Sequence, residues 1–257
     1  MKNYFDVAGR VAFITGASKG LGKVFADTLG GAGAKLFILA TTRETIEAAC
    51  REFRDKGYEC ECFCGNIVDK AAMDEAVNRC VQRYGRIDIL VNNAGAMRCN
   101  KAPEDTSLEE WQKVIHVNVD GAFIVAQAVG RVMLEQGYGK IINMSSISGK
   151  IINKGVHGGS YDVSKAAIDG LTYALASEWA GKGINVNAIA PGYFMTQPNR
   201  EYFDSDPAFY DMVLDLIPAG KVGDPEQLAG TILYLASAAS DYLNGTIIRV
   251  DGGYMVW

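Results

Sequence analysis

The stretch that decides the fold is Val11-Ala12-Phe13-Ile14-Thr15-Gly16-Ala17-Ser18-Lys19-Gly20-Leu21-Gly22. Its first five residues form a short apolar run, typical of a strand buried on both faces of a parallel sheet, and a helical pattern follows the glycines. Glycines let the backbone turn sharply and bring N–H groups close to a pyrophosphate, which the N-terminus of the next helix also attracts. The spacing TGxxxGxG between a strand and a helix therefore predicts a dinucleotide-binding turn.

The same strand–helix pattern repeats along the rest of the chain. Further apolar runs of strand length occupy residues 35–40, 59–64, 87–91, 140–144, 184–190 and 246–250. Segments of helical period occupy residues 20–32, 43–56, 69–84, 107–135, 161–181 and 225–238. Because alternating strands and helices form βαβ units with right-handed crossovers, the sequence predicts an α/β fold. We expect a single doubly wound, Rossmann-type domain over residues 1–257, with a seven-stranded parallel sheet and helices on both faces.

Composition and charge exclude several other classes of protein. With 257 residues, of which 49% are hydrophobic and 21% charged, the chain has enough apolar surface to fold, which excludes disorder. The net charge of -5 and the lack of a basic block argue against a nucleic-acid partner. We find neither the apolar run of a signal peptide nor an uninterrupted membrane span, so we expect a cytoplasmic protein without a membrane partner.

Three of the six cysteines, Cys60, Cys62 and Cys64, alternate along a predicted strand and share one face of it. No CxxC pair and no nearby histidine completes a set of metal ligands, so we predict no metal site. Free cysteines are among the most buried residues, which favours their acting here as small apolar side chains.

The longest irregular segment, residues 191–223, is rich in proline, aspartate and aromatic residues. Connections of this length inside a compact domain are usually functional, so we predict a substrate-binding loop here.

The end of the second predicted strand bears on the choice of cofactor. An acidic residue there would accept hydrogen bonds from a ribose 2′-hydroxyl and repel a 2′-phosphate. This chain instead has Thr41, Thr42 and Arg43, and Lys19 lies in the glycine turn. Both cations could face a 2′-phosphate, which favours NADP(H) over NAD(H). The alternative is that Lys19 and Arg43 are solvated surface charges and that NAD(H) is bound.

A tyrosine and a lysine, Tyr161 and Lys165, lie four residues apart at the start of a predicted helix and so share one face of it. A phenol in water ionises near about pH 10, and a neighbouring ammonium group stabilises the phenolate. Such a pair is suited to proton exchange with a substrate at neutral pH.

The ordered set of motifs resembles that of the classical short-chain dehydrogenase/reductase family. The motifs are TGxxxGxG at 15–22, Asn92-Asn93-Ala94-Gly95, Asn118, Ser145-Ser146, YxxxK at 161–165, Pro191-Gly192 and Asp251-Gly252-Gly253. The resemblance covers essentially the whole chain and is strongest to the group of gluconate 5-dehydrogenase and the sugar and polyol reductases. It implies an oxidoreductase that interconverts a secondary alcohol and a ketone, without metal, and that commonly assembles as a homotetramer.

The resemblance also implies roles for individual residues. Tyr161 would be the general acid/base, Lys165 would stabilise its phenolate and hold the nicotinamide ribose, and Ser146 would hydrogen-bond the substrate oxygen. Asn118 would support a water that relays the proton. The residues expected to contact the cofactor are Gly16, Ser18, Lys19, Gly20, Leu21, Gly22, Thr41, Arg43, Asn66, Ile67, Asn93, Ala94, Gly95, Tyr161, Lys165, Pro191, Gly192 and Thr196.

The motifs identify the substrate-binding residues less precisely than the cofactor-binding ones. Ser145 stays an alternative to Ser146, and Tyr161 follows Ser146 by fifteen residues, two more than is common in the family. Candidate substrate contacts are Arg98, Ser148, His157 and Tyr193, with Asn153 also in the pocket wall. We expect a sugar, polyol or sugar acid as substrate. The alternatives are an apolar cyclic ketone or steroid, or a non-catalytic regulator that binds a dinucleotide.

Overall fold

The sheet of this protein contains seven parallel strands in the order β3-β2-β1-β4-β5-β6-β7, in a computed structural model that describes residues 3–97, 99–153 and 155–256. The strands are β1 (Val11–Thr15), β2 (Lys35–Ala40), β3 (Cys60–Cys64), β4 (Ile89–Asn92), β5 (Gly139–Met144), β6 (Ile184–Pro191) and β7 (Ile247–Val250). Their bounds differ from the predicted ranges by at most two residues. The predicted parallel sheet is confirmed.

Helices connect successive strands and cover both faces of the sheet. They are α1 (Gly20–Gly31), α2 (Arg43–Asp55), α3 (Lys70–Tyr84), α4 (Leu108–Ile115), α5 (Gly121–Gln136), α6 (Ser160–Trp179), α7 (Gln197–Ser205), α8 (Pro207–Leu216) and α9 (Ala229–Ala236). One apolar layer packs α1, α2 and α9 on the sheet, with Phe25, Phe53 and Ile232 fully buried. The other layer packs α3, α5 and α6, with Met73 and Val129 at its centre.

The strand order reverses direction between β1 and β4, which are neighbours in the sheet. The connections from β1 and from β4 therefore leave in opposite directions and open a crevice at the carboxyl ends of the strands. Ligands of open α/β sheets bind at such a switch point. The glycine turn at 15–22 and the Asn92–Gly95 segment both begin there.

The segment 191–223, predicted to be irregular, contains two helices, and that part of the prediction is wrong. Prolines occupy the first turns of α7 and α8, where a missing N–H costs nothing. The Asp206 carboxylate accepts a hydrogen bond from the Phe209 N–H at 3.0 Å and so caps α8. Each helix is short and is held by burial of Phe203, Phe209 and Val213 in a third apolar cluster, a tertiary effect that local periodicity does not report.

The helical run predicted over 107–135 is interrupted by a π-helical turn at His116–Asp120, between α4 and α5. Taken together, α4, the π-helical turn and α5 span Leu108–Gln136, which is long and apolar enough by length and composition to cross a membrane. Half of its most apolar part is buried inside the protein. Val125, Val129 and Met133 face the sheet in that buried part. It is a core helix of the fold.

The strand cysteines lie on one face of β3, as predicted. Cys60 is buried in the first apolar layer, Cys62 and Cys64 pack against its edge, and Phe63 faces the other layer. All six cysteines are unbridged. Within the described residues, no group of three His, Cys, Asp or Glu side chains is arranged to hold a metal ion.

Candidate active site

A cavity of about 660 Å³ opens at the carboxyl ends of the strands, where the strand order reverses. Its wall is built by the segments that follow β1 to β6, together with the start of α6 and of α7. The residues that were predicted for the site and line this cavity are Gly16, Ser18, Lys19, Gly20, Leu21, Thr41, Asn66, Ile67, Asn93, Ala94, Gly95, Ser146, Ser148, Tyr161, Lys165, Pro191, Gly192, Tyr193 and Thr196. The structure thus brings most of the predicted site together.

Four predicted residues, Gly22, Arg43, Asn118 and His157, do not line the cavity. Arg43 is exposed and pairs with Glu47 at 3.5 Å along α2, facing a separate hollow beside β3. His157 is exposed, and its backbone N–H donates to Asn100 Oδ1 at 3.3 Å. The remaining candidate, Arg98, lies outside the described residues.

The glycine turn is shaped for close approach of a ligand to the backbone. Gly16 and Gly20 have φ of 67° and 57°, a region that L side chains rarely adopt. A Cβ at Gly22 would lie 2.3 Å from the Gly16 carbonyl oxygen, so the start of α1 packs directly on the turn. Asn93 Nδ2 donates to the Thr15 and Gly16 carbonyls at 3.0 and 3.2 Å. The turn is therefore a fixed cradle whose wall is backbone, which fits the pyrophosphate of a dinucleotide.

The ribose end of the cavity carries positive charge. Lys19 is exposed at its rim, Thr41 follows β2, and none of the described residues lining the cavity is an aspartate or glutamate. A 2′-phosphate would therefore meet Lys19 and no opposing carboxylate in the described wall.

Tyr161 and Lys165 lie together on one turn of α6. Lys165 Nζ is buried, donates to the Met144 carbonyl oxygen at 2.8 Å, and lies 5.5 Å from the centre of the Tyr161 ring. The end of β5 thus holds the ammonium beside the phenol. Sequence reasoning could not identify the Met144 contact, because it is made by a backbone atom.

The two serines after β5 have different environments. Ser145 Oγ donates to buried Asp169 at 2.6 Å, in the interior between β5 and α6. Ser146 Oγ accepts the Ser148 N–H at 3.1 Å, and its own hydrogen has no acceptor among the residues described. Of the pair, Ser146 is the one whose hydroxyl can donate into the cavity.

Asn118 lies behind the cavity wall, in the π-helical turn. Its Nδ2 donates to Ser164 Oγ at 2.9 Å and to the Ala96 carbonyl at 3.1 Å, while its Oδ1 accepts the Ala96 N–H at 2.6 Å. The amide therefore ties the segment after β4 to α6. Single π-helical turns inside helices are frequent at functional sites.

The substrate end contains both polar and aromatic side chains. Ser148 and Asn153 are buried in the cavity wall and hydrogen-bonded to each other. Tyr193 packs its ring near Phe203, Phe209 and Tyr254, at centroid distances of 5.6 to 6.4 Å. These aromatic rings fill the space under α7 and α8. Pro198 and Asn199 of α7, within the predicted substrate-binding segment 191–223, also line the cavity.

Comparison with known proteins finds relatives that match this chain over nearly its whole length. A family model described as enoyl-(acyl carrier protein) reductase matches residues 16–255. Galactitol 2-dehydrogenase (L-tagatose-forming) of Cereibacter sphaeroides is 37% identical, with 100% of this chain and 99% of the relative covered. The 2-dehydro-3-deoxy-D-gluconate 5-dehydrogenase of Bacillus subtilis is 39% identical, with 98% and 96% covered.

A solved structure of gluconate 5-dehydrogenase from Burkholderia cenocepacia, in complex with NADP and tartrate, superposes with a TM-score of 0.93. It is 37% identical, and the match covers 99% of this chain and 98% of that one. The family model and these relatives are named for different substrates. Because the relatives match over nearly their full length, their names indicate the substrate class more specifically than the description of the family model does.

Proposed function

The chain belongs to the classical short-chain dehydrogenase/reductase family and is an oxidoreductase of CH–OH groups that uses NAD(P), and we propose that its substrate is a small sugar, polyol or sugar acid. The observation that carries this proposal is the polar wall next to Ser146, formed by buried Ser148 and Asn153. Buried polar side chains need hydrogen-bond partners, and a hydroxylated substrate supplies them. The sugar and sugar-acid names of the relatives support the same substrate class.

In our proposal, Ser146 and Tyr161 act on the oxygen of the reacting carbon. In the direction of reduction, Ser146 Oγ donates a hydrogen bond to the ketone oxygen and stabilises the negative charge that develops there. Tyr161 transfers its phenolic proton to that oxygen, which completes the alcohol. When bound, the nicotinamide supplies the hydride to the carbon or accepts it in the reverse direction.

Lys165 and Asn118 support this proton transfer. The Lys165 ammonium stabilises the phenolate left on Tyr161, and it donates to the ribose of the bound nucleotide in our proposal. The π-helical turn at Asn118 lies next to α6, and we assign it the relay that returns a proton from water.

We propose NADP(H) as the preferred cofactor, because Lys19 lines the ribose end and the described wall there lacks a carboxylate. Arg43, paired with Glu47 outside the cavity, contributes less to this preference. The bound NADP in the Burkholderia relative supports the proposal.

Replacing Lys19 with alanine tests the choice of cofactor. We expect the Kd for NADPH to rise about 10-fold, the effect of losing one exposed charge-assisted contact, while the Kd for NADH changes little. Nucleotide fluorescence measures both constants, and Lys23→Ala, one turn further along α1, is the control. An equal loss for both nucleotides would contradict a contact with the 2′-phosphate.

A panel of ketones tests the substrate class. With NADPH absorbance as the readout, we expect kcat/KM for 5-keto-D-gluconate or L-tagatose to exceed that for cyclohexanone by about 100-fold or more, because the buried polar wall would be left unpaired by an apolar ring. A preference for cyclohexanone would favour the apolar-ketone alternative. Tight NADPH binding without turnover of any ketone would favour a non-catalytic regulator.

We further propose that the chain forms a homotetramer in the cytoplasm. Phe123 on α5 and Val163 and Tyr173 on α6 are exposed apolar side chains on helices that the family uses for assembly. A protein surface with such side chains on adjacent helices is suited to a partner copy. A light-scattering mass near the 27.7 kDa of one chain would contradict this assembly.

A further inference from the structure

Asn153 has a buried amide oxygen that no described group binds. The residue is 4% exposed and lines the catalytic cavity. Its Nδ2 donates to Ser148 Oγ at 2.7 Å, but its Oδ1 has no hydrogen-bond partner within residues 3–97, 99–153 and 155–256. An acceptor left unpaired in a buried site costs free energy, so it indicates a missing donor.

The loop that carries Asn153 turns this polar side chain into the cavity instead of toward solvent. Asn153 belongs to the segment between Ser146 and Tyr161, which is two residues longer than is common in the family. Its neighbour Ile152 is 74% exposed, so the loop buries the polar residue and leaves the apolar one in water. Polar residues are usually exposed and apolar ones buried, so a buried amide beside an exposed isoleucine indicates that the amide binds a ligand.

The pair formed by Asn153 and Ser148 presents one acceptor and one donor. Ser148 Oγ accepts from Asn153, and its own hydrogen has no acceptor among the described side chains and backbone groups. The unpaired Asn153 Oδ1 is the acceptor. A hydroxyl group both donates and accepts a hydrogen bond, so it complements this pair. A ketone oxygen or an apolar carbon would leave the Asn153 oxygen unsatisfied.

The pair is also connected to the proposed carbonyl-binding residue. The Ser148 N–H donates to Ser146 Oγ at 3.1 Å, so only a short covalent path separates the Ser148 hydroxyl from the Ser146 hydroxyl. A group bound by the pair therefore lies close to an oxygen bound by Ser146. A hydroxyl on the carbon next to the reacting one is the substrate group nearest to that oxygen.

We propose that Asn153 and Ser148 form a subsite that binds the substrate hydroxyl adjacent to the reacting carbonyl, which makes the enzyme selective for α-hydroxyketones and vicinal diols. The inference rests on the proposed function, because it needs Ser146 and Tyr161 to hold the reacting oxygen. Asn153 Oδ1 accepts the hydroxyl hydrogen, and Ser148 Oγ donates to the hydroxyl oxygen. No bond is made or broken at this subsite.

The test compares 1-hydroxy-2-butanone with 2-butanone, which differ only in the proposed hydroxyl, using NADPH oxidation as the readout. Asn153→Leu keeps the side-chain size and removes both the acceptor and the donor to Ser148 Oγ. We expect it to lower kcat/KM for the hydroxyketone by about 10- to 100-fold, the size of one hydrogen bond in a buried site, and for 2-butanone by less than about 3-fold. Asn153→Asp retains an acceptor but cannot donate to Ser148 Oγ, so it is expected to keep only part of the preference. Ile152→Ala, on the exposed side of the same loop, is the control.

Two results would overturn the inference: an unchanged hydroxyketone preference in Asn153→Leu, or an equal loss on both ketones, which is the mark of a merely structural role. In both cases wild-type turnover would leave the proposed function standing. If the wild type binds NADPH and reduces neither these ketones nor the sugars, the proposed function itself fails. Should Asn153→Leu not fold, Ser148→Ala carries the same comparison, since it removes the donor and keeps the loop.

Discussion

Replacing Tyr161 with phenylalanine is expected to lower kcat by about 10²- to 10⁴-fold, the usual contribution of a general acid/base, while NADPH binding stays within a few-fold of wild type. The substitution removes one oxygen and its proton and keeps the ring beside Lys165, whose Nζ lies 5.5 Å from the ring centre. Steady-state rates and nucleotide fluorescence measure the two effects separately. We therefore expect a variant that binds NADPH normally but turns over substrate much more slowly.

The control for this substitution lies on the same helix. Tyr173 is exposed on α6, three turns beyond Tyr161, and is not among the described residues that line the cavity. Tyr173→Phe therefore removes a chemically identical hydroxyl without touching the reacting atoms, and its kcat should equal that of wild type. Retention of turnover in Tyr161→Phe would remove the proton-transfer role from this residue and leave the family mechanism without its acid.

The sequence predicts the strands and the cofactor cradle well because their determinants are local. A strand buried on both faces must be apolar throughout. In the turn, a Cβ at Gly16 or Gly22 would clash with neighbouring atoms, and Gly20 has a φ of 57°, which L side chains rarely adopt. Tyr161 and Lys165 share one helix, so their spacing alone brings them to one face. For the strands, the turn and this pair, the spacing of residues in the sequence is enough to predict their arrangement in the structure.

The parts that escape sequence reasoning depend on contacts between distant segments. Arg43 was predicted at the 2′-phosphate from its position after β2, but α2 begins there and turns its side chain toward Glu47. His157 precedes Tyr161 closely, yet its loop leaves it exposed. Asn153 was predicted in the pocket wall and does line it, but its pairing with Ser148 depends on how a lengthened loop packs. Side chains on loops and on short helices are oriented by tertiary packing, which periodicity does not encode.

Replacing Lys165 with methionine is expected to lower kcat by about 10²-fold or more, because the phenolate of Tyr161 would lose its neighbouring cation. Methionine matches the length and the apolar stem of lysine, so the packing of α6 on β5 is largely kept. The lost group is the ammonium that donates to the Met144 carbonyl at 2.8 Å. Steady-state rates at saturating NADPH measure this loss.

Separate measurements of kcat and of the Kd for NADPH distinguish this electrostatic role from nucleotide binding. Loss of ribose contacts in Lys165→Met would raise the Kd for NADPH, whereas loss of the cation beside Tyr161 lowers kcat even when the enzyme is saturated with NADPH. Lys182→Met, an exposed lysine just beyond the end of α6, removes the same charge far from Tyr161 and should leave both constants unchanged. A Lys165→Met enzyme that regains the wild-type kcat at saturating NADPH would mean that Lys165 holds the nucleotide and that the phenol is activated by another group.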